Sequence, residues 1–258
     1  MNVEARGGGR ERLCYIGRMV TARAAGVLRL RRLKNISWLT KRQLDRVVGA
    51  MTVNVIEKRS VIFDDRHAPE LAYILLSGVA RITCRNRKGE RTTVTLLAPG
   101  MIPGFPLPAS GIDFKFRCET VSECRIGSLD LNTFIEIALG IGSSDFKRMA
   151  QNYSGRWDLV QLRCSNFMGC SLEERLALIL LELSENFGEP EGKRTRLTVA
   201  ARHKDLAEMV GASRPRITEH LIGFERRHLI QRDNHHWVVR RDRLEAFLAS
   251  ARGNSSGA

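Results

Sequence analysis

The stretch EMVGASRPRITEHLIGFERRHLI, residues 208–230, constrains the fold more than any other part of the chain. Helical spacing runs on both sides of Pro215, yet a proline in a helix interior removes a hydrogen bond and clashes with the preceding turn, at a cost of about 3 kcal/mol. Two helices remove the conflict. HKDLAEMV forms a short first helix with Leu206, Met209 and Val210 inward. Gly211 and Ala212 supply a tight turn, and Ser213 is of the residue type preferred at an N-cap. Arg214 and Pro215 then fill the first turn of a second helix, where a missing N–H costs nothing. Ile217, Leu221 and Phe224 recur at helical spacing as its buried face, while Arg216, Thr218 and Glu219 point away and Arg214 sits at the tip.

Two short helices joined at a glycine, the second exposing Arg, Arg, Thr and Glu on its early turns, are helix-turn-helix chemistry. Arginine bonds guanine O6 and N7 in a fork, and glutamate accepts from cytosine N4. Arg214 and Glu219 are therefore the expected base readers, with Arg216 beside them, and Ser213 and Thr218 are the expected phosphate contacts. RRHLIQRDNHHWVVRRDRL reads as a hairpin wing: Leu229 and Ile230, a polar turn at Asp233-Asn234, then Trp237-Val238-Val239. Charge agrees. The net charge is +14, and residues 193–243 hold thirteen Lys/Arg against six acids. Residues 1–34 hold nine against two, and the remainder is balanced at twenty of each sign. Two basic segments on a neutral body predict contact with a polyanion, although a solvated basic surface is an equal alternative for the first segment alone.

The 258 residues suggest two domains. Residues 50–130 read as β. YILLSGVARITC breaks at Gly78, NRKGERTTVTLLAPG turns at Lys88-Gly89 and Pro99-Gly100, and FKFRCETVSECRIGSLD alternates again. Short strands at this spacing predict a β-barrel or jelly roll. GMIPGFPLPASG interrupts them as a loop where a small-molecule pocket would open. Phe146, Met149, Tyr153, Trp157, Val160, Cys164 and Phe167 then follow a/d heptad spacing, which predicts a helix of about 22 residues pairing with a second copy. One long helix packed on its own domain is the alternative. Ser171 caps a further helix ending at Gly188, and GEPEGKRTR is a linker or hairpin.

No apolar run is long enough to span a membrane, and the Arg-rich start reads as a flexible basic arm or as an over-early start codon. The tail ARGNSSGA reads as disordered. Six cysteines without a C-x-x-C spacing, and no export signal, predict reduced thiols in a cytoplasm. Cys118 and Cys124 lie an even number apart, so one strand would put both on one face as a thiol switch or as two buried apolar residues. Cys164, on the heptad seam, is a third redox candidate.

YILLSGVARI, LAPG, the long helix and KDLAEMVGASRPRITEHLIGFERRHLI together resemble the cyclic-AMP receptor protein / fumarate–nitrate reductase regulator (Crp/Fnr) family over residues 35–245. The resemblance implies an α+β chain: an N-terminal β-roll (jelly-roll) sensor domain at 35–144, a long dimerisation helix at 145–170, and a C-terminal winged helix-turn-helix at 171–250, after a basic arm at 1–34. It implies a homodimer reading a palindromic operator in double-stranded DNA, with RNA polymerase as a further partner. Members that bind cyclic nucleotides carry a Gly-Glu for the ribose and an Arg-Ser or Arg-Thr for the phosphate. Here the loop reads Gly104-Phe105-Pro106, an ungapped alignment puts Phe114 and Lys115 at the second pair, and Val160-Gln161 stands where a hydroxyl pair touches the base. These departures point to an effector or redox signal other than cyclic AMP. Members with an iron–sulfur cluster use several N-terminal cysteines, of which only Cys14 is here. Haem-binding members use varied ligands, for which His67 and Cys84 are candidates. The DNA helix departs too, with Pro215 and Glu219 where relatives usually show an early Glu and an Arg a turn later. A β-roll scaffold subunit controlling a partner protein is the competing class. An enzyme is not expected, since the sequence has no Ser/His/Asp order, metal-ligand spacing or Walker loop.

Overall fold

A computed structural model describes residues 18–19, 36–64, 71–85, 89–102, 116–140 and 143–255. Apart from Arg18–Met19, the expected basic arm lies outside the described residues. The chain divides into two compact units, Met1–Arg85 with Pro99–Ile137, and Asn86–Ala98 with Ala138–Ala258.

The first unit holds strands β1 (Arg18–Met19), β2 (Thr52–Ile56), β3 (Val61–Asp64), β4 (Leu71–Ser77), β5 (Ala80–Arg85), β7 (Phe116–Thr120) and β8 (Cys124–Asp130), and helices α1 (Lys41–Ala50) and α2 (Leu131–Leu139). One sheet runs β1-β2-β8-β4 and another contains β3-β7-β5, all antiparallel. Val53, Ile74, Ile126 and Leu129 of the first sheet are buried. Gly78 turns the chain between β4 and β5 at φ +88°, and a Cβ there would fall 2.2 Å from the Glu123 carbonyl, so only glycine fits. Neither helix was expected from the sequence. Helix α1 starts at a reciprocal cap, in which Gln43 N donates to Thr40 Oγ1 and Thr40 N donates to Gln43 Oε1. Gln43 Nε2 also donates to Ile137 O at 3.1 Å and so fastens α1 to α2.

Cys118 and Cys124 do not share a strand. The chain turns at residues 121–123 because Val121 N and Ser122 N both donate to Val79 O. Cys118 therefore lies in β7 of one sheet, and Cys124 opens β8 of the other. Both are fully buried. Burial pushes both thiols up, most strongly Cys118, to which the nearby Cys124 and Glu119 add.

The second unit comprises β6 (Arg91–Leu97), α3 (Ser143–Gly169), α4 (Leu172–Phe187), β9 (Gly188–Glu191), β10 (Arg194–Leu197), α5 (His203–Val210), α6 (Arg214–Arg226), β11 (Ile230–Asp233), β12 (His236–Val239) and α7 (Arg241–Ser255). Ser171 and Glu174 cap α4 reciprocally, as its sequence predicts, and Leu176, Leu180 and Leu183 bury its inner face. GEPEGKRTR is a hairpin, since Glu191 pairs with Arg194 across Gly192-Lys193. Its strands complete a sheet of order β11-β12-β10-β9.

One boundary differs from expectation. The tail is helical to Ser255, because Leu244 is fully buried and Phe247 meets Phe224 edge-on at 5.7 Å. Strand β6, which lies within the roll by sequence, groups with the second unit. Its Thr93 N donates to Glu208 Oε2 at 2.8 Å, and its Val94 O accepts from Arg163 Nη1 at 2.7 Å.

Candidate nucleic-acid interface

Helix α5 ends where Gly211 adopts the left-handed region, φ +68° and ψ +45°. Ala212 N donates to Ala207 O and closes the turn. A Cβ on Gly211 would lie 2.6 Å from the Phe167 ring, so the turn is tight on both counts. Helix α6 begins at once, with Ile217 N donating to Ser213 O and Pro215 in the first turn. Ser213 holds the N-cap position, but its hydroxyl makes no capping bond. One of the two donors a cap reaches belongs to Pro215, which has none. The Ser213 side chain is exposed.

Burial splits α6 cleanly. Ile217, Leu221 and Phe224 are buried, whereas Arg214, Pro215, Arg216 and Glu219 are exposed. Among the described residues, no hydrogen bond or ion pair engages the side chains of Arg214, Arg216 or Glu219. The outward strip continues through Ile222, 44% exposed, and Arg226. Sequence reasoning missed both, although they stand three and seven residues beyond Glu219 on one helical face.

Thr218 differs from its expected outward position. It lies about 100° around the helix from Ile217, on the flank facing α5. It is half-buried, its Oγ1 donates to Arg214 O at 3.0 Å, and His203 Nδ1 lies 2.8 Å from the same oxygen.

The wing turns at Asn234-His235, one residue later than expected, because Asp233 still pairs with His236. Asn234 takes the positive φ, 52°, that such a two-residue turn requires. Trp237 is buried, and its Nε1 donates to Ala201 O. Arg232 lies 5.8 Å over the Trp237 ring while its backbone N–H donates to Glu225 Oε1, which ties wing to α6. On the other side of α6, His220 Nδ1 and Arg227 Nη2 both donate to Glu173 Oε1 on α4.

On α3, Phe146, Val160, Cys164 and Phe167 of the predicted seam are exposed and Met149 is half-buried. The side chains of Tyr153 and Trp157 lie outside the described residues. Leu159, Leu162 and Met168 are also exposed, which the heptad reading did not include. Val160 and Gln161, the aligned base-contact pair, are both exposed. Cys84, half-buried, stands near the end of β5. The other effector-linked residues, Cys14, His67, Gly104, Phe105, Pro106, Phe114 and Lys115, lie outside the described residues. No helix among the described residues is long and apolar enough to cross a membrane.

An antiparallel roll followed by a long helix and a winged helix-turn-helix with a basic outward face defines a DNA-binding transcription regulator with an N-terminal regulatory domain. Residues 53–139 match the cyclic nucleotide-binding domain and residues 174–247 match the Crp-like helix-turn-helix domain. The chain belongs to the Crp/Fnr family of transcription regulators. It is 26% identical over 206 residues to the nitrogen fixation regulation protein FixK of Azorhizobium caulinodans, covering 76% of this chain and 79% of that protein. It is 25% identical over 174 residues to the CRP-like cAMP-activated global transcriptional regulator of Mycobacterium tuberculosis, covering 64% of this chain and 74% of that protein. The structure of FixK2 from Bradyrhizobium japonicum shares its fold, with a TM-score of 0.63 at 18% identity over 76% of this chain and 96% of that one.

Proposed function

We propose that the protein acts in the bacterial cytoplasm as a homodimer, placing α6 of each copy in the major groove of one half of a palindromic operator. The observation that carries this reading is the split of α6, with Ile217, Leu221 and Phe224 inside and Arg214, Arg216 and Glu219 outside and unengaged among the described residues. A helix buried on one side and set with a fork donor and a carboxylate acceptor on the other is equipped to read guanine and cytosine edges. The exposed Ser213 hydroxyl is suited to a phosphate oxygen. Pairing through α3 is supported by the exposed Phe146, Val160 and Phe167. Contact with RNA polymerase is the route by which the bound dimer changes transcription.

The roll answers to a signal other than cyclic AMP. The mycobacterial relative is described as cAMP-activated. This chain has Gly104-Phe105-Pro106 where the acidic ribose ligand is needed, and an unpaired buried polar group costs about 1–3 kcal/mol. The experiment is selection of a binding site from a random-sequence duplex pool by the full-length protein, with calorimetry against cyclic AMP. A selected site that is two-fold symmetric, and calorimetric titration without heat at micromolar nucleotide, are the expected results. A site without symmetry overturns the dimeric reading.

A further inference from the structure

The residue that joins the three parts of the DNA-binding surface is His203, the first residue of α5. Its Nδ1 lies 2.8 Å from Thr218 Oγ1 on α6. Its ring stacks on Trp237 of β12, with centroids 5.8 Å apart and planes 25° apart. Its Nε2 is buried with no hydrogen-bond partner.

These contacts fix the tautomer. A threonine hydroxyl has one proton, and Thr218 gives it to Arg214 O. The bond between His203 and Thr218 can then only run from Nδ1–H to Oγ1. Nε2 keeps the lone pair, the form in which an unpartnered buried nitrogen costs least. A proton on Nε2 would bury an N–H with no acceptor. The charges facing the ring add to this opposition, since Arg232 on β11 and Arg214 on α6 repel a cation more than Glu225 on α6 attracts it. Burial first, and these arginines after it, hold the imidazole below its ordinary pKa.

We infer that His203 is a positioning residue for sequence recognition: as the neutral Nδ1–H tautomer it pins the first turns of α6, through Thr218 and the Arg214 carbonyl, to α5 and to the wing. Thr218 thereby serves inside the protein as the acceptor of the pin, and Arg214 is aimed from a fixed backbone. The inference rests on α6 being the DNA-reading helix.

Two substitutions separate a pin from mere filling. His203→Asn places an amide N–H near the Nδ1 position, whereas His203→Gln carries it out to the Nε2 position. With the full-length protein and a duplex selected by the wild type, His203→Asn keeps specific affinity within about threefold, and His203→Gln loses about tenfold, the worth of one well-made hydrogen bond near the top of its range. Affinity for a scrambled duplex is unchanged in both, which also reports that the variants are folded. Thr218→Val combined with His203→Gln is no worse than the weaker single variant, because both break one contact.

The pH profile gives an independent readout. Protonating surface histidines strengthens DNA binding. Protonating His203 leaves Nδ1–H in place but adds a charge and a second N–H at buried, unpartnered Nε2 beside Arg232 and Arg214. That drives the ring out of its site and so undoes the pin. Wild-type specificity is therefore flat above the ordinary histidine value of about 6.5 and falls as the pH drops below it. His203→Asn lacks that fall. Equal behaviour of the Asn and Gln variants, or a wild-type fall that persists in His203→Asn, overturns the pin while leaving the reading helix intact. Failure of the wild type to select any duplex overturns both.

Discussion

Helices α3 and α6 belong to the same unit, yet they present different chemistry to solvent. In α6 the apolar residues Ile217, Leu221 and Phe224 are inside and the charges are outside. In α3 part of the charge is engaged, with Arg163 bound to Glu182 and the Val94 carbonyl and Arg148 paired with Asp145, while Phe146, Leu159, Val160, Leu162 and Met168 stand exposed. Burying a side chain of that size is worth about 1.5–3 kcal/mol, so such a surface is expensive to leave wet. The two helices therefore ask for different partners. The outward face of α6 suits a polyanion with patterned donors and acceptors, and that of α3 suits another apolar helix.

The contrast fails first if α3 has no partner. Val160→Glu puts like charges at the proposed two-fold axis and should give monomers in sedimentation, with operator affinity lower by about 10²–10⁴-fold as bivalent binding is lost. A dimer that persists would place the interface elsewhere. On α6, Arg214→Ala and Glu219→Ala should each cost about 1–3 kcal/mol at one symmetric pair of base positions, read by binding to single-base variants of the selected duplex. Glu219→Ala also removes a negative charge near DNA, so its non-specific binding should hold level or tighten, and a uniform loss at every site would assign Glu219 to the helix alone. The joint between the two helices gives a smaller effect. Gly211→Ala forces a Cβ into the left-handed region and against Phe167 of α3, and should lower thermal stability by about 1–2 kcal/mol. An unchanged melting temperature would show that the turn relaxes freely. The smallest effect is chemical. At pH 8 an alkylating reagent should label Cys164 faster in the monomeric Val160→Glu variant than in the native dimer, where the seam covers it, while Cys118 and Cys124, held protonated by burial, should react only on unfolding. Mass mapping of labelled peptides checks it.

Much of α6 was legible because its signals are local. A glycine at the turn, a proline that fits only a first turn and apolar residues at helical spacing all act within a few residues. The missing cap bond has a local contribution too, since Pro215 removes one of the two N–H groups within reach of Ser213. Thr218 and His203 were illegible because their roles depend on a contact fifteen residues apart in sequence, made only after the turn brings α5 onto α6. Alternation likewise could not reveal that a turn held by the Val79 carbonyl separates Cys118 from Cys124. Ile222 was overlooked because an isoleucine invites assignment to a core, and only its 44% exposure places it on the outward strip.

The Glu208 bond to Thr93 N and the Arg163 bond to Val94 O have a consequence for inheritance. The second unit is written in two stretches of the gene, residues 86–98 and 138–258, with part of the roll's sequence between them. Recombination that moved only the C-terminal stretch onto a foreign sensor would deliver a helix-turn-helix whose Glu208 has lost the Thr93 N–H it accepts from, and a long helix whose Arg163 has lost the Val94 carbonyl.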